Sequence, residues 1–356
     1  MSSQPKEVTL AIVPRARFDV IDVAQRVMQE FGDLLSQYRK AIYCSYHTTA
    51  GYLEQSFCAR LQHSRDHVAP FMRAFQKLFP PEANYRHDQL QLRAELSEEQ
   101  RKCEPKNGDS HLTFISSGLK NCVTYVNRPG EAVYFIDLDG IHDNICRNRQ
   151  TSVLVFNEED QVHRAKFAIP VSKHQIDSIN LKDARYGLVE QLTEWVEKIG
   201  VQKGRIDIAL DPEERHAGLT VNEYETLLMR YDLAEILSNP LKFMAMQSKA
   251  MWLDPKAIPS KTINYAKYDF VHLFNELMDA FRVSESVVEK ILSTFIRVPA
   301  ARFLRMKRSV SLLISDEHAN GRGRIVQGTY QSPILVQWQR VERRTRYLDI
   351  TITRFG

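Results

Sequence analysis

The chain repeats its own order of elements, and that repetition constrains its fold more than any single motif does. Asp22 to Tyr38 reads as an amphipathic helix, because Ala24, Val27, Met28, Phe31, Leu34, Leu35 and Tyr38 recur at three- and four-residue spacing. A strand candidate, Lys40 to Tyr46, follows it. Lys182 to Ile199 repeats the helix on the stripe Leu188, Leu192, Trp195, Val196 and Ile199. Arg205 to Leu210 repeats the strand, alternating Ile206, Ile208 and Leu210. A polar motif comes next each time.

The later parts echo as well. Gly130 to Ile136 parallels Gly323 to Thr329, and each precedes a strand-like segment, Ser152 to Phe156 or Ile334 to Trp338. Each half then closes on a second strand, Ala165 to Val171 or Tyr347 to Thr353. At 356 residues the chain exceeds the size at which one core keeps growing, so two domains are expected. They divide as 1–172 and 173–356, within the polar change from Pro170 to Ile179. The fold class is α/β in the broad sense (α+β). It comprises two tandem related domains, each a curved, mainly antiparallel β-sheet packed with helices in a sandwich.

Between its echoing parts the first half holds a helix from Asp66 to Phe79, stopped by Pro80-Pro81. The second half is longer there, with helical candidates Glu223 to Leu237, Tyr268 to Phe281 and Ser286 to Phe295.

Composition narrows the function classes. A hydrophobic share of 43% with 26% charged residues argues against disorder. No basic segment leads into a long apolar run, so no membrane passage is expected and a cytoplasmic protein is. Five cysteines without a CxxC pair fit free thiols in a reducing compartment. The net charge of +4 is mild. Its basic excess leans to the C-terminal end, through Arg302 to Arg308, Arg322, Arg324, Arg340, Arg343, Arg344 and Arg346. An anionic ligand or a solvated face explains this run. Nucleic acid is not expected, since no aromatic residues interleave with the arginines. GxGxxG, GxxxxGK and HExxH are absent.

Chemistry concentrates in three first-half segments. They are His47-Thr48-Thr49, Tyr85-Arg86-His87-Asp88, and Gly108-Asp109-Ser110-His111 at the start of a strand-like run, LTFISS. Three neutral imidazoles could hold a zinc-type ion with one position open for water or substrate, Asp88 or Asp109 orienting one of them. Without a metal the same groups could act as acid, base and oxyanion donors. The bland alternative is three unrelated surface or core-edge histidines, because the gaps between them form no local metal motif. In the second half, Asn222-Glu223 could be no more than a helix start.

These segments resemble the YjbQ-like family, the secondary thiamine-phosphate synthases. The resemblance rests on His47-Thr48-Thr49-Ala50, Tyr85-Arg86-His87-Asp88 and Asn107-Gly108-Asp109-Ser110-His111. In the other half it rests on Ala217-Gly218-Leu219-Thr220-Val221-Asn222-Glu223 and the run from Gly323 to Gln331. The first half keeps the histidines but has Gly51 to Ser56 where the family places its Asn-Glu element. The second keeps Asn222-Glu223 and Gly328-Thr329-Tyr330-Gln331 but has Glu214 where the first histidine would fall. Complementary losses of this kind imply a divergent tandem duplication with one composite site.

The resemblance implies a metal-assisted enzyme, transferase or lyase-like, acting on a small phosphorylated or anionic metabolite, with a thiamine-phosphate-synthase-like transfer as the specific model. His47, His87 and His111 would hold a divalent metal, zinc, and with Asp88 and Glu223 make up the catalytic set. Substrate-binding candidates are Thr48, Thr49, Tyr85, Ser110, Asn222, Arg324, Thr329, Gln331 and Arg346. Family subunits resemble trimers with sites near subunit contacts, so a homo-oligomer is expected. The rival reading is a catalytically inactive metabolite-binding or assembly protein.

Overall fold

The computed structural model describes residues 4–142, 145–238, 305–317 and 321–356. The helical candidates Tyr268 to Phe281 and Ser286 to Phe295 lie outside the described residues. The first half runs β1 (Lys6–Ile12), β2 (Asp19–Asp22), α1 (Val23–Phe31), β3 (Lys40–Ser45), β4 (Ala50–Gly51), α2 (Gln55–Arg60), α3 (Arg65–Leu78), α4 (Glu98–Cys103), α5 (Gly108–Ser117), β5 (Cys122–Val126), β6 (Tyr134–Asp137), β7 (Ile141–His142), β8 (Ile145–Cys146) and β9 (Arg149–Phe156). The second runs β10 (Glu159–Pro170), β11 (Asp177–Asn180), α6 (Leu188–Ile199), β12 (Gly204–Leu210), β13 (Ala217–Asn222), a π-helical turn (Leu228–Asp232), α7 (Leu233–Ser238), β14 (Ser309–Ser315), β15 (Arg324–Val326), β16 (Ser332–Gln337) and β17 (Thr345–Phe355).

Each half holds a large antiparallel sheet and a three-stranded one, and the strand orders correspond. The order β1-β9-β3-β5 matches β10-β17-β12-β14, which carries β15 at its edge. The order β2-β6-β4 matches β11-β16-β13. The expected α+β class with mainly antiparallel sheets is therefore what the chain adopts. Among the described residues no helix is long and apolar enough to cross a membrane.

The repeat is offset by one strand from the echo read in the sequence. Arg149–Phe156 answers to Thr345–Phe355, and Tyr134–Asp137 answers to Ser332–Gln337. Strand β10, expected to close the first half, pairs along its length with β17 and opens the second. The passage between the two strand sets thus falls at Asn157-Glu158, upstream of the expected 172/173 boundary. Alternation marks a strand but carries no information about its partner. The counterpart of β10 is β1, an opening strand that the sequence reading did not recognise.

The run LTFISS, read as a strand, is instead the body of α5. All ten residues of this helix are buried, so it has no polar face and no 3.6-residue period to reveal it. Its end signal is legible in hindsight: Gly118 takes φ 85°, the left-handed conformation that ends helices. The helix expected from Asp22 to Tyr38 stops early at Gly32, with φ 65°, and its stripe continues as a 3₁₀ turn from Leu34 to Gln37. Asp22 caps α1 by accepting from the Gln25 amide.

Side-chain alternation divides each large sheet between two cores. On β3, Ala41 and Tyr43 face the first half's own core with α1, α3 and the small sheet. Ile42 and Cys44 face the other way, with Cys122, Leu154 and Phe156, onto Leu313 and Phe355 of the second half. There the Phe156 and Phe355 rings stack, centroids 3.8 Å apart. A second shared core joins Tyr85, Leu112 and Ile115 to Leu228, Met229, Leu233 and Ile334. The two halves are thus fused by apolar contacts on both sides of whatever lies between them.

Phe156→Ala would empty a fully buried site on this seam. It is expected to cost about 3–5 kcal/mol, measured as a lower urea midpoint. A change below about 1 kcal/mol would show that the ring stack adds little to holding the halves together.

Candidate functional site

Between the two shared cores lies a buried cluster of histidines and carboxylates drawn from both halves. The loop after α3 carries His87, whose backbone amide and that of Arg86 each donate to Asp232, both at 3.0 Å. Asp232 ends the π-helical turn, and Glu225 precedes that turn. One short segment of the second half therefore grips His87 twice, by its backbone and by its ring.

The ring of His87 is wholly buried. Its Nδ1 lies 3.1 Å from Glu225 Oε2 and its Nε2 lies 3.2 Å from Asn107 Oδ1. Asn107 donates its own amide to Asp139 Oδ2 at 2.8 Å, which leaves its carbonyl oxygen facing His87 as an acceptor. With an acceptor on each side, the surroundings of His87 favour a proton on both ring nitrogens, the imidazolium form. Burial works against that charge, but the hydrogen bond to Glu225 and the field of Glu223 outweigh it and hold the pKa above its ordinary value. Burial likewise opposes ionisation of Glu225. The His87 hydrogen bond and the amides of Leu227 and Leu228 outweigh it and hold this carboxyl below its usual range.

His111 is placed by α5, its ring centroid 5.0 Å from that of His87. Nδ1 lies 2.7 Å from Asn222 Oδ1. Asn222 donates its amide to the Thr48 carbonyl at 2.8 Å, so its oxygen accepts and His111 Nδ1 is the protonated nitrogen. Burial, the neighbouring His87 charge and the guanidiniums of Arg147 and Arg93 push His111 well below its ordinary pKa. The neutral ring therefore keeps a lone pair on Nε2, which lies 3.6 Å from Glu223 Oε2. Burial raises the Glu223 carboxyl, against the opposing charges of His87 and Arg93. Arg93 Nη2 holds Glu223 Oε1 at 3.0 Å, while its other nitrogens take Glu95 and Glu104.

Two histidines in contact thus sit in opposite charge states, one a fixed cation and one a neutral base. Environments that push neighbouring pKa values apart separate acid and base roles. Glu223, with 19% of its side chain exposed, is the partner of His111 that reaches the surface.

The structure brings together His87, His111, Asn222 and Glu223 directly, and Thr48 through its carbonyl. Gln331 joins from the second half, its amide donating to the carbonyls of Ser45 and His47, each at 2.9 Å. Gly328 in the same loop abuts Tyr46 so closely that a Cβ would lie 1.9 Å from that carbonyl oxygen. Thr329 is exposed.

His47 stands apart from the pair, its Nε2 accepting from the Gln150 amide at 2.8 Å. Burial and the nearby Arg149 and Arg147 push it down to about 3. Among the described residues Asp88 makes no hydrogen bond to a histidine. It accepts from the Gly108 amide at 2.9 Å and so secures the start of α5. Thr49 accepts from Arg149, Ser110 donates to the Leu138 carbonyl, and Tyr85 donates to the Pro80 carbonyl.

Arg324 lies on the edge strand β15, and Arg346 is buried elsewhere in the second half. Its donors are spent on Gln337, Glu214 and the carbonyls of Arg215 and Gln339.

A three-histidine zinc centre does not fit this disposition. Both His87 nitrogens and one nitrogen on each of His47 and His111 are engaged by protein groups. Among the described residues no group of three or more metal-ligating side chains adopts holding geometry.

Sequence reasoning missed Arg93, Asp139, Arg147, Glu225 and Asp232. Only Glu225 left a local signal, as the second carboxylate of Asn222-Glu223-Tyr224-Glu225. Asn107 was visible only as the head of a motif.

Fold and seam together define a two-part α+β protein with a histidine–carboxylate cluster between its halves. No family model matches the chain, and no curated protein does. Among solved structures it is similar to a YbjQ-like protein of unknown function from Sulfolobus solfataricus P2. That likeness has 17% identity and a TM-score of 0.29, over 55% of this chain and 99% of that one. A hypothetical protein from Aeropyrum pernix K1 follows at 14% and 0.28, over 54% and 98%. An uncharacterized conserved protein of the YjbQ family from Clostridium acetobutylicum follows at 15% and 0.25, over 53% and 98%.

The opposite charge states can be read by nitrogen-detected NMR. His87 is expected to stay doubly protonated above the ordinary histidine range of about 6.5, and His111 to stay neutral, protonated at Nδ1, well below it. The signs for stability differ accordingly. His87 contributes fully below its unfolded pKa and loses that contribution as pH rises through its folded value. For His111 the unfolded chain takes the proton first on acidification, so stability falls as pH drops below about 6.5. A neutral His87 at pH 6 would refute the assignment.

Proposed function

We propose that this chain is an enzyme acting on a small phosphorylated or otherwise anionic metabolite at the seam between its halves. His111 and Glu223 exchange the proton, and His87 is a fixed cation beside them. The observation that carries this reading is the pair of touching histidines held in opposite charge states by partners from both halves.

Neutral His111 has its Nδ1 proton committed to Asn222, so Nε2 is the atom that can take a proton from a bound substrate. Glu223 lies within reach of that nitrogen and of the surface, and its raised pKa suits it to return the proton. The buried charge of His87 stabilises negative charge developing next to it, in surroundings that exclude water. Arg147 supports an anionic substrate. It gives Nη1 to Asp139 at 2.5 Å, its side chain is 30% exposed, and its field reaches both His47 and His111. The transfer implied by the family resemblance, joining a pyrimidine diphosphate to a thiazole phosphate, would need such cations to neutralise departing diphosphate.

We also infer that the two halves arose by tandem duplication and then divided the site between them. Matching strand orders support this. So does a buried arginine used alike in each half: Arg149 on Asp137 and the Asp139 carbonyl, Arg346 on Gln337 and the Gln339 carbonyl.

One observation favours a binding role instead. His87 and His111 are 0% and 1% exposed, so neither imidazole meets solvent, whereas their neighbours Glu223 and Arg147 do. Mutants separate the two readings. H111Q and E223Q are expected to lower turnover of phosphorylated substrate pairs by about 10²–10⁴-fold, followed by mass spectrometry of product, with ligand affinity little changed. Turnover equal to wild type in both variants would sink the enzymatic reading.

A further inference from the structure

Three arginines of the C-terminal run, Arg340, Arg343 and Arg346, line a cleft of about 440 Å³ in the second half, apart from the seam site. The cleft is formed by the loop before β13, from Glu213 to His216, and by the loop between β16 and β17, from Gln339 to Arg343, with Arg346 beneath.

The floor is a closed ion-pair network. Buried Glu214 accepts from Arg346 Nη1 at 2.9 Å, from Arg343 Nη2, and from the Tyr347 amide at 2.8 Å. Glu214 and Arg346 cancel each other and fix both loops. Arg308 adds rigidity by donating to the carbonyls of Glu214 and Asp211.

The rim is different. Arg215 and Arg340 are exposed, and among the described residues neither guanidinium has a protein partner. Together with Arg343 they outnumber the exposed Glu213 and Glu342. One lining residue, His216, adopts left-handed backbone at φ 58° without being glycine. Such conformations cost free energy and collect at ligand sites.

The matching place in the first half sharpens the comparison. There Arg149 makes the hydrogen bonds that correspond to those of Arg346, and His47, like Glu214 here, lies three residues before the paired strand. That loop is covered by Gln331 from the second half. In the second half the same framework is, among the described residues, an open cleft with the guanidiniums of Arg215 and Arg340 at its mouth.

We propose that this cleft is a second ligand site, separate from the seam, that binds a small phosphate-bearing metabolite through Arg215 and Arg340. Two unpaired guanidiniums over a rigid, internally neutralised floor match the forked, bidentate recognition of phosphoryl oxygens. The volume lies within the range for small-molecule sites, about 300–1,000 Å³.

Inorganic pyrophosphate is the probe, titrated calorimetrically into the full chain and into R215Q/R340Q. Both arginines are exposed, so the double variant should keep the wild-type melting temperature, which is checked first. A saturable binding event is expected in wild type, weakened by raised salt and reduced about tenfold or more in the double variant. The same event should persist in H111Q, whose change lies in the seam. Absence of saturable binding, equal affinity in R215Q/R340Q, or loss of the event in H111Q would each overturn the proposal. If R215Q/R340Q melts early, R340Q alone carries the comparison with the same criteria.

Discussion

Charge buried away from water must be paired, and His87 is where this chain meets that constraint. An imidazolium at full burial is tolerable only with acceptors on both ring nitrogens. One acceptor, Asn107, comes from the first half, and the other, Glu225, comes from the second. The backbone around His87 is held by Asp232, again from the second half. Separating the halves would take Glu225 from His87 and the Arg86 and His87 amides from Asp232 at once. Docking of the halves and the electrostatics of the cluster are therefore one event.

The apolar seam makes this electrostatics strong. Tyr85 and Leu112 on one side and Leu228 on the other belong to a shared core directly beside the histidines. Low effective dielectric there magnifies the field of His87 on His111. Burial first, and then the charge of the neighbouring ring, hold the His111 pKa down. Asp139 carries that arrangement outward, since it orients the Asn107 amide and also holds Arg147. A half-exposed guanidinium is thereby linked through three hydrogen bonds to a buried histidine.

Much of the fold was legible in the sequence where one face of an element meets water. Helices α1, α3 and α6 each have a polar side, so their apolar stripes stood out. Helix α5 has none, and its short apolar run looked like a strand. The repeat was legible as an order of elements but not as a register, because pairing across a sheet leaves no local mark. The same limit governed the site. His87, His111, Asn222 and Glu223 were visible as motifs, whereas Arg93, Asp139 and Asp232 join through contacts with residues that are 130, 32 and 146 positions away. Arg346 was misplaced for a related reason. A basic residue in a basic run looks available until its partners, Glu214 and Gln337, are seen to use it up.

The expected three-histidine centre and the observed two-histidine pair differ in what each asks of the imidazole. A metal ligand must be neutral and must aim a lone pair at the ion. His87 meets neither condition, since Glu225 and Asn107 both require protons from it. His47 is neutral but spends Nε2 on the Gln150 amide. Of the three, only His111 combines a neutral ring with an uncommitted nitrogen lone pair, and that nitrogen faces Glu223. The second half thus changes the chemistry open to the first. By supplying Glu225 it charges one histidine, and by supplying Asn222 it fixes the tautomer of the other. The division of labour between the halves is one of protonation states, with the imidazoles on one side and the groups that decide their charge largely on the other.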